Sequence, residues 1–136
     1  MKRKNALPLL ALMCAAAALI ILLSGCTYAE RSIGTSSLYA AAEIEDAMDA
    51  AERYFRREFR GCTLQELCYD EDKSAKAADE WAMQYGEEQA IVLTSTFLVG
   101  PGGDGSLERN ETYTNWQWIL TRSGKNDWVV RTCGYG

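Results

Sequence analysis

Chemistry in this 136-residue chain must come from five cysteines, 19 carboxylates and a modest set of aromatic side chains. There is no histidine. That removes the commonest general base and the commonest metal ligand. Nucleophilic catalysis needs a base beside the nucleophile, and the lysines lie in charged, polar contexts. Paired carboxylates could do acid–base work, but no pair stands in an apolar stretch. No catalytic residue is assigned on these grounds, and no cofactor is expected.

The densest acidic group is Asp70, Glu71, Asp72, Asp79 and Glu80. Oxygen ligands of this kind suit a hard cation such as Ca²⁺. The twelve-residue cation-loop pattern is absent, however. The cluster therefore reads as a solvated turn and helix face, without metal. The run from Gly102 to Glu108 holds glycines and acids but no strand-to-helix phosphate motif, so it reads as a surface turn.

The N-terminus carries a different kind of information. Met1-Lys2-Arg3-Lys4 is followed by an apolar run over residues 6–23, interrupted only by Pro8. A charged start, an apolar middle and small residues before a cut are the parts of an export signal. The basic cluster favours a cytoplasmic start of the chain. An uncut helix of this run would reach only ~27 Å, short of a ~30 Å hydrocarbon core. The run ends in Leu23-Ser24-Gly25-Cys26, which resembles the lipobox of bacterial lipoproteins. The resemblance implies a diacylglyceryl group on the Cys26 thiol and cleavage before it. Residues 1–25 would be the signal peptide, residues 26–37 the lipidated cysteine and a tether, and residues 38–136 the domain. The protein would sit on the outer face of the cell membrane, with the membrane as partner through the lipid. Two acyl chains, at about 0.8 kcal/mol per buried CH₂, suffice for stable anchoring.

From Cys26 onward the chain has 111 residues, enough for one small core. The first 25 residues hold three of the 14 basic side chains and none of the 19 acidic ones, so the remainder carries 11 against 19, a net −8. An acidic surface argues against nucleic acid and anionic lipid as partners. Cys62, Cys68 and Cys133 remain in the exported part. Disulfides persist outside the cytoplasm, and three thiols allow three single pairings. No CxxC spacing supports a metal. Cys68 and Cys133 fall in two expected strands. A bridge between them would close a long loop, add ~3–5 kcal/mol and leave Cys62 free.

Apolar residues at three and four spacing predict a helix over residues 38–60, with Ser37 as N-cap and Gly61 as stop. A short strand is expected over 63–69, broken by the charges of Asp70-Glu71-Asp72. A second, short helix follows over 74–85. The apolar, β-branched run 90–99 is the best strand. After a long glycine-containing loop, a strand from 113 or 116 to 122 and another over 128–133 form an antiparallel hairpin. The pattern predicts an α+β fold: a long N-terminal helix on a curved antiparallel sheet of about four strands, with a second short helix.

The long leading helix, the terminal hairpin and the closing Asp127-Trp128-Val129-Val130 resemble the cone-shaped folds related to nuclear transport factor two and cystatin. Gly61-Cys62-Thr63-Leu64, Tyr69-Asp70-Glu71 and Thr114-Asn115-Trp116-Gln117-Trp118 are similar to small lipoproteins of Gram-positive bacteria. Such folds host enzymes, binders and subunits alike. Trp116 and Trp118 share a strand face, and Trp128 lies on the partner strand. With Trp81 and Phe97 they could line a concavity for a small apolar ligand. The competing expectation is that they fill the core, because a domain this size has little apolar material to spare. The leading functional expectation is a surface-anchored, non-enzymatic accessory or binding domain. A cavity enzyme using carboxylates and tyrosines is one alternative, and a structural partner of another envelope protein is the other.

Overall fold

The computed structural model describes residues 28–135. The expected signal peptide and Cys26 lie outside the described residues. The elements run β1 (Glu30–Ser32), α1 (Ala41–Glu58), β2 (Cys62–Cys68), α2 (Glu71–Tyr85), β3 (Gln89–Val99), β4 (Thr112–Arg122) and β5 (Val129–Gly134).

The stripe Ile44, Ala47, Met48, Ala51 and Phe55 makes α1 amphipathic, and all five are buried. The helix begins at Ala41, three residues later than its periodicity suggests. The two serines ahead of it explain the delay. The Ser36 hydroxyl accepts the amides of Leu38 and Tyr39 at 3.2 and 3.1 Å. Ser37 binds the Glu71 carboxylate through both its amide and its hydroxyl. The chain is thus held in a turn up to Ala40, whose amide is taken by the Glu43 side chain at 2.9 Å. Past the other end, Gly61 adopts φ 78°. A Cβ there would stand 2.9 Å from the Gly103 carbonyl oxygen, and one on Gly100 only 2.7 Å from the Gly61 carbonyl oxygen. Only glycines let this junction meet the β3–β4 loop.

The acids expected to break the chain at 70–72 instead start α2. Asp70 is the N-cap and accepts the Lys73 amide at 3.3 Å. Glu71 and Asp72 occupy the first turn, where they complement the helix dipole. Gly86 closes the helix in the left-handed conformation.

The sheet has five strands in the order β1-β2-β3-β4-β5 and is mixed. This corrects the expectation of about four antiparallel strands led by a long N-terminal helix, since β1 precedes α1. The extra strand, β1, is parallel to β2 and lies in the segment expected to be a tether. Glu30, Arg31 and Ser32 are all exposed, so no alternation announced them. They are fixed instead by pairing with Glu66, Leu67 and Cys68. Arg31 also bridges to Asp49 and Glu52 of α1 at 2.7 and 2.6 Å. The other neighbours are antiparallel, each pair carrying a register shift. Such bulges bend and twist strands. The one in β4 falls beside Asn115, which has φ 55°.

Pairing of β2 with β3 ends at Cys68–Thr94. Beyond that point α2 and the α1 approach cover the bare edge of β3. The buried Ser74 hydroxyl accepts the Val92 amide at 3.0 Å, and the Tyr39 hydroxyl donates to the Ala90 carbonyl at 3.2 Å. The core lies between α1 and the sheet face bearing Leu67, Ile91, Leu93, Phe97, Val99, Trp118 and Leu120. Among the described residues, no helix is long and apolar enough to cross a membrane.

Candidate functional site

Phe97 and Trp118 are wholly buried, and Trp128 nearly so. Phe55 descends from α1 onto Phe97 and Trp118, with ring centroids at 5.4 and 6.2 Å. Phe59 stacks on Phe55 at 4.9 Å. The two buried indoles are satisfied: Trp118 donates to the Ser95 hydroxyl at 2.9 Å and Trp128 to the Glu43 carbonyl at 3.1 Å. Of the two expectations for these rings, Phe97, Trp118 and Trp128 lie in the core. Trp116 stands at the rim, partly buried against Phe59, Tyr113 and Tyr135. Its indole nitrogen is buried beside the Cys133 thiol but makes no hydrogen bond. Trp81 does not join the group. It stacks on Tyr85 along α2, 6.2 Å away.

The sequence pattern did not reveal a charged staple beneath these rings. Glu43 on α1 accepts from Arg122 at 2.5 Å and from Lys125 at 3.1 Å. Arg122 also donates to Gln89 at 2.7 Å, and its guanidinium lies 4.2 Å from the Trp128 ring centroid. Its side chain is 5% exposed. The Arg122 hydrogen bond, helped by the Ala40 amide and Lys125, lowers the Glu43 carboxyl to about 2. Glu43 and Arg122 lie 79 residues apart in the chain, so only the fold joins them.

The acidic cluster near residue 70 is occupied with local structure. Asp70 caps α2, and Glu71 is held to about 2 by the Ser36 and Ser37 hydroxyls together with nearby amides. Asp104 in the glycine loop accepts the Leu107 and Ser106 amides at 2.7 and 2.9 Å. Among the described residues, no group of three or more acids or thiols is arranged to hold a metal ion.

Cys62, Cys68 and Cys133 are all free. Cys68 is level with Thr94, Thr94 with Gln117, and Gln117 with Gly134, the neighbour of Cys133. Three strand spacings of about 4.8 Å separate the two cysteines by about 14 Å. A disulfide needs Cα atoms within about 7 Å. The expected Cys68–Cys133 bridge therefore does not form. Burial raises the Cys133 thiol, and burial together with Asp104 raises that of Cys62. Both favour the unreactive protonated form at neutral pH.

A groove of about 500 Å³ opens at the C-terminal end of α1. Phe55, Phe59 and Leu64 contribute its apolar part, and Arg56 and Arg60 its charge. Tyr28, at the start of the described chain, stands at its edge. Among the described residues, Arg56 and Arg60 form no ion pair. No protein-family model, curated protein or solved structure matches this chain.

Proposed function

We propose that this chain is an exported lipoprotein, anchored through a diacylglyceryl group on Cys26, whose domain works by engaging another envelope protein rather than by catalysis. The kinship with the cone-shaped folds and with small lipoproteins of Gram-positive bacteria belongs to the same proposal. One observation carries the functional half of it. The space between α1 and the sheet, where a cone fold would house a substrate or an apolar ligand, is packed with Phe55, Phe97 and Trp118. Two ionisable groups near it, Glu43 and Arg122, neutralise each other. A cavity enzyme would need such groups unpaired and facing open space. What remains for function is surface.

Native mass spectrometry of the protein purified from its own envelope tests this reading. The expected result is a retained protein partner and no retained small molecule. A bound small ligand in stoichiometric amount, other than a membrane phospholipid, would favour a carrier or an enzyme instead.

A further inference from the structure

The described chain begins at Tyr28, and its start is pinned. Ala29 is buried, and β1 follows at once, paired with β2 and tied to α1 through Arg31. Cys26 stands two residues before Tyr28. At 3.3–3.6 Å per residue, two residues of chain span at most about 7 Å. The reach between lipid and domain is thus much shorter than a ten-residue tether. An acyl anchor on Cys26 draws the Tyr28 end of the domain down to the headgroup layer.

That end is also where the groove opens. Arg56 stands in the last turn of α1 and Arg60 in the turn just past its C-cap Phe59, and both line the groove. Both are exposed. The acid beside them in the groove, Glu52, is already paired with Arg31, and Glu58 is paired with Arg57. Asp104, in the neighbouring loop, is held by its own loop amides, and its charge, which reaches Cys62, offsets only part of the arginine field. The net charge of −8 does not decide the matter at this spot. Glu45 and Asp46 sit at the far end of α1, and ten residues from Asp46 to Arg56 span about 15 Å. That exceeds the Debye length of about 8 Å at physiological ionic strength. Tyr28 is 78% exposed, and tyrosine rings favour the membrane–water interface.

We infer that this groove is a seat for the headgroup of an anionic membrane phospholipid. Arg56 and Arg60 take the phosphate, and Phe55, Phe59 and Leu64 meet the first part of the acyl chain. The inference rests on the lipid-anchor reading above. It assigns the domain a fixed orientation on the bilayer, with β4, β5 and the far end of α1 left free for a partner.

The test is hydrogen exchange of the lipidated mature protein in vesicles of phosphatidylglycerol or of phosphatidylcholine. Amides of residues 54–64 should exchange several-fold more slowly in phosphatidylglycerol, and R56Q/R60Q should abolish the difference. Amides of β3 should be unchanged in both, which shows that the variant is folded. Equal exchange in the two vesicle types, or protection that survives R56Q/R60Q, overturns the seat. Protection by inorganic phosphate without vesicles also overturns it, by showing a free-anion site. Intact mass reports the lipid separately. A chain lacking diacylglyceryl counts against the anchor, and a lipidated chain with equal exchange counts against the seat alone.

Discussion

Glu43 joins three parts of the molecule at one carboxylate. It takes the Ala40 amide at the start of α1, and it pairs with Arg122 and Lys125 from the terminal hairpin. Arg122 is the buried member, lying over Trp128. Breaking a buried pair by removing one partner costs about 3–5 kcal/mol. Glu43 is roughly a quarter exposed, so the smaller hydrogen-bond-to-charge figure of about 2 kcal/mol suits Glu43→Gln better. Urea denaturation measures it. Glu43 and Glu71 both titrate near 2 in the folded chain, against about 4.3 when unfolded. Their contribution is therefore fully present above the unfolded value. It is lost as the pH falls from about 4.3 towards about 2. Unfolding free energy followed down this range should decline, and Glu43→Gln should flatten part of the decline. An identical profile for the two proteins would mean that the Glu43 pairing contributes nothing.

Elements depend on contacts that periodicity only partly foretells. The apolar stripe of α1 and the odd-numbered buried run Ile91, Leu93, Phe97, Val99 were legible, because burial on one face imposes a period. Strand β1 was not legible, because it buries nothing on either face and is held by backbone pairing and by Arg31. The start of α2 was misread because three acids in a row look like a break, whereas a helix N-terminus attracts them. Two substitutions probe these joints. Ser74→Ala leaves the Val92 amide buried without a partner, a loss of about 1–3 kcal/mol. Its signature is faster hydrogen exchange at Val92 and its neighbours. Gly100→Ala sets a methyl group 2.7 Å from the Gly61 carbonyl oxygen. It should lower stability by about 1–3 kcal/mol, read as a fall in thermal midpoint. An unchanged midpoint would mean that the α1–β2 junction and the β3–β4 loop are not held in close contact.

At the scale of the molecule, composition alone could not distinguish a filled core from an open cavity. The same tryptophans serve either, and the outcome turns on how closely α1 sits over the sheet. Nor could spacing locate Cys68 and Cys133 on strands kept apart by β3 and β4. Alkylation in denaturant without reductant should add one group to each of Cys62, Cys68 and Cys133. Alkylation of the native protein at neutral pH should be slow at Cys62 and Cys133, where burial raises the thiols. A mass showing two of the three blocked would restore a disulfide. On the proposed anchoring, a packed acidic domain is held close to the membrane through a lipid on Cys26. The central claim is the processing of Cys26, and intact mass of the membrane-bound protein from its own host measures that most directly. The account predicts a chain beginning at Cys26 and carrying a diacylglyceryl group, with Cys26→Ser left uncut and without lipid. A full-length chain with a free Cys26 thiol, or a Cys26→Ser chain processed like the parent, would contradict it.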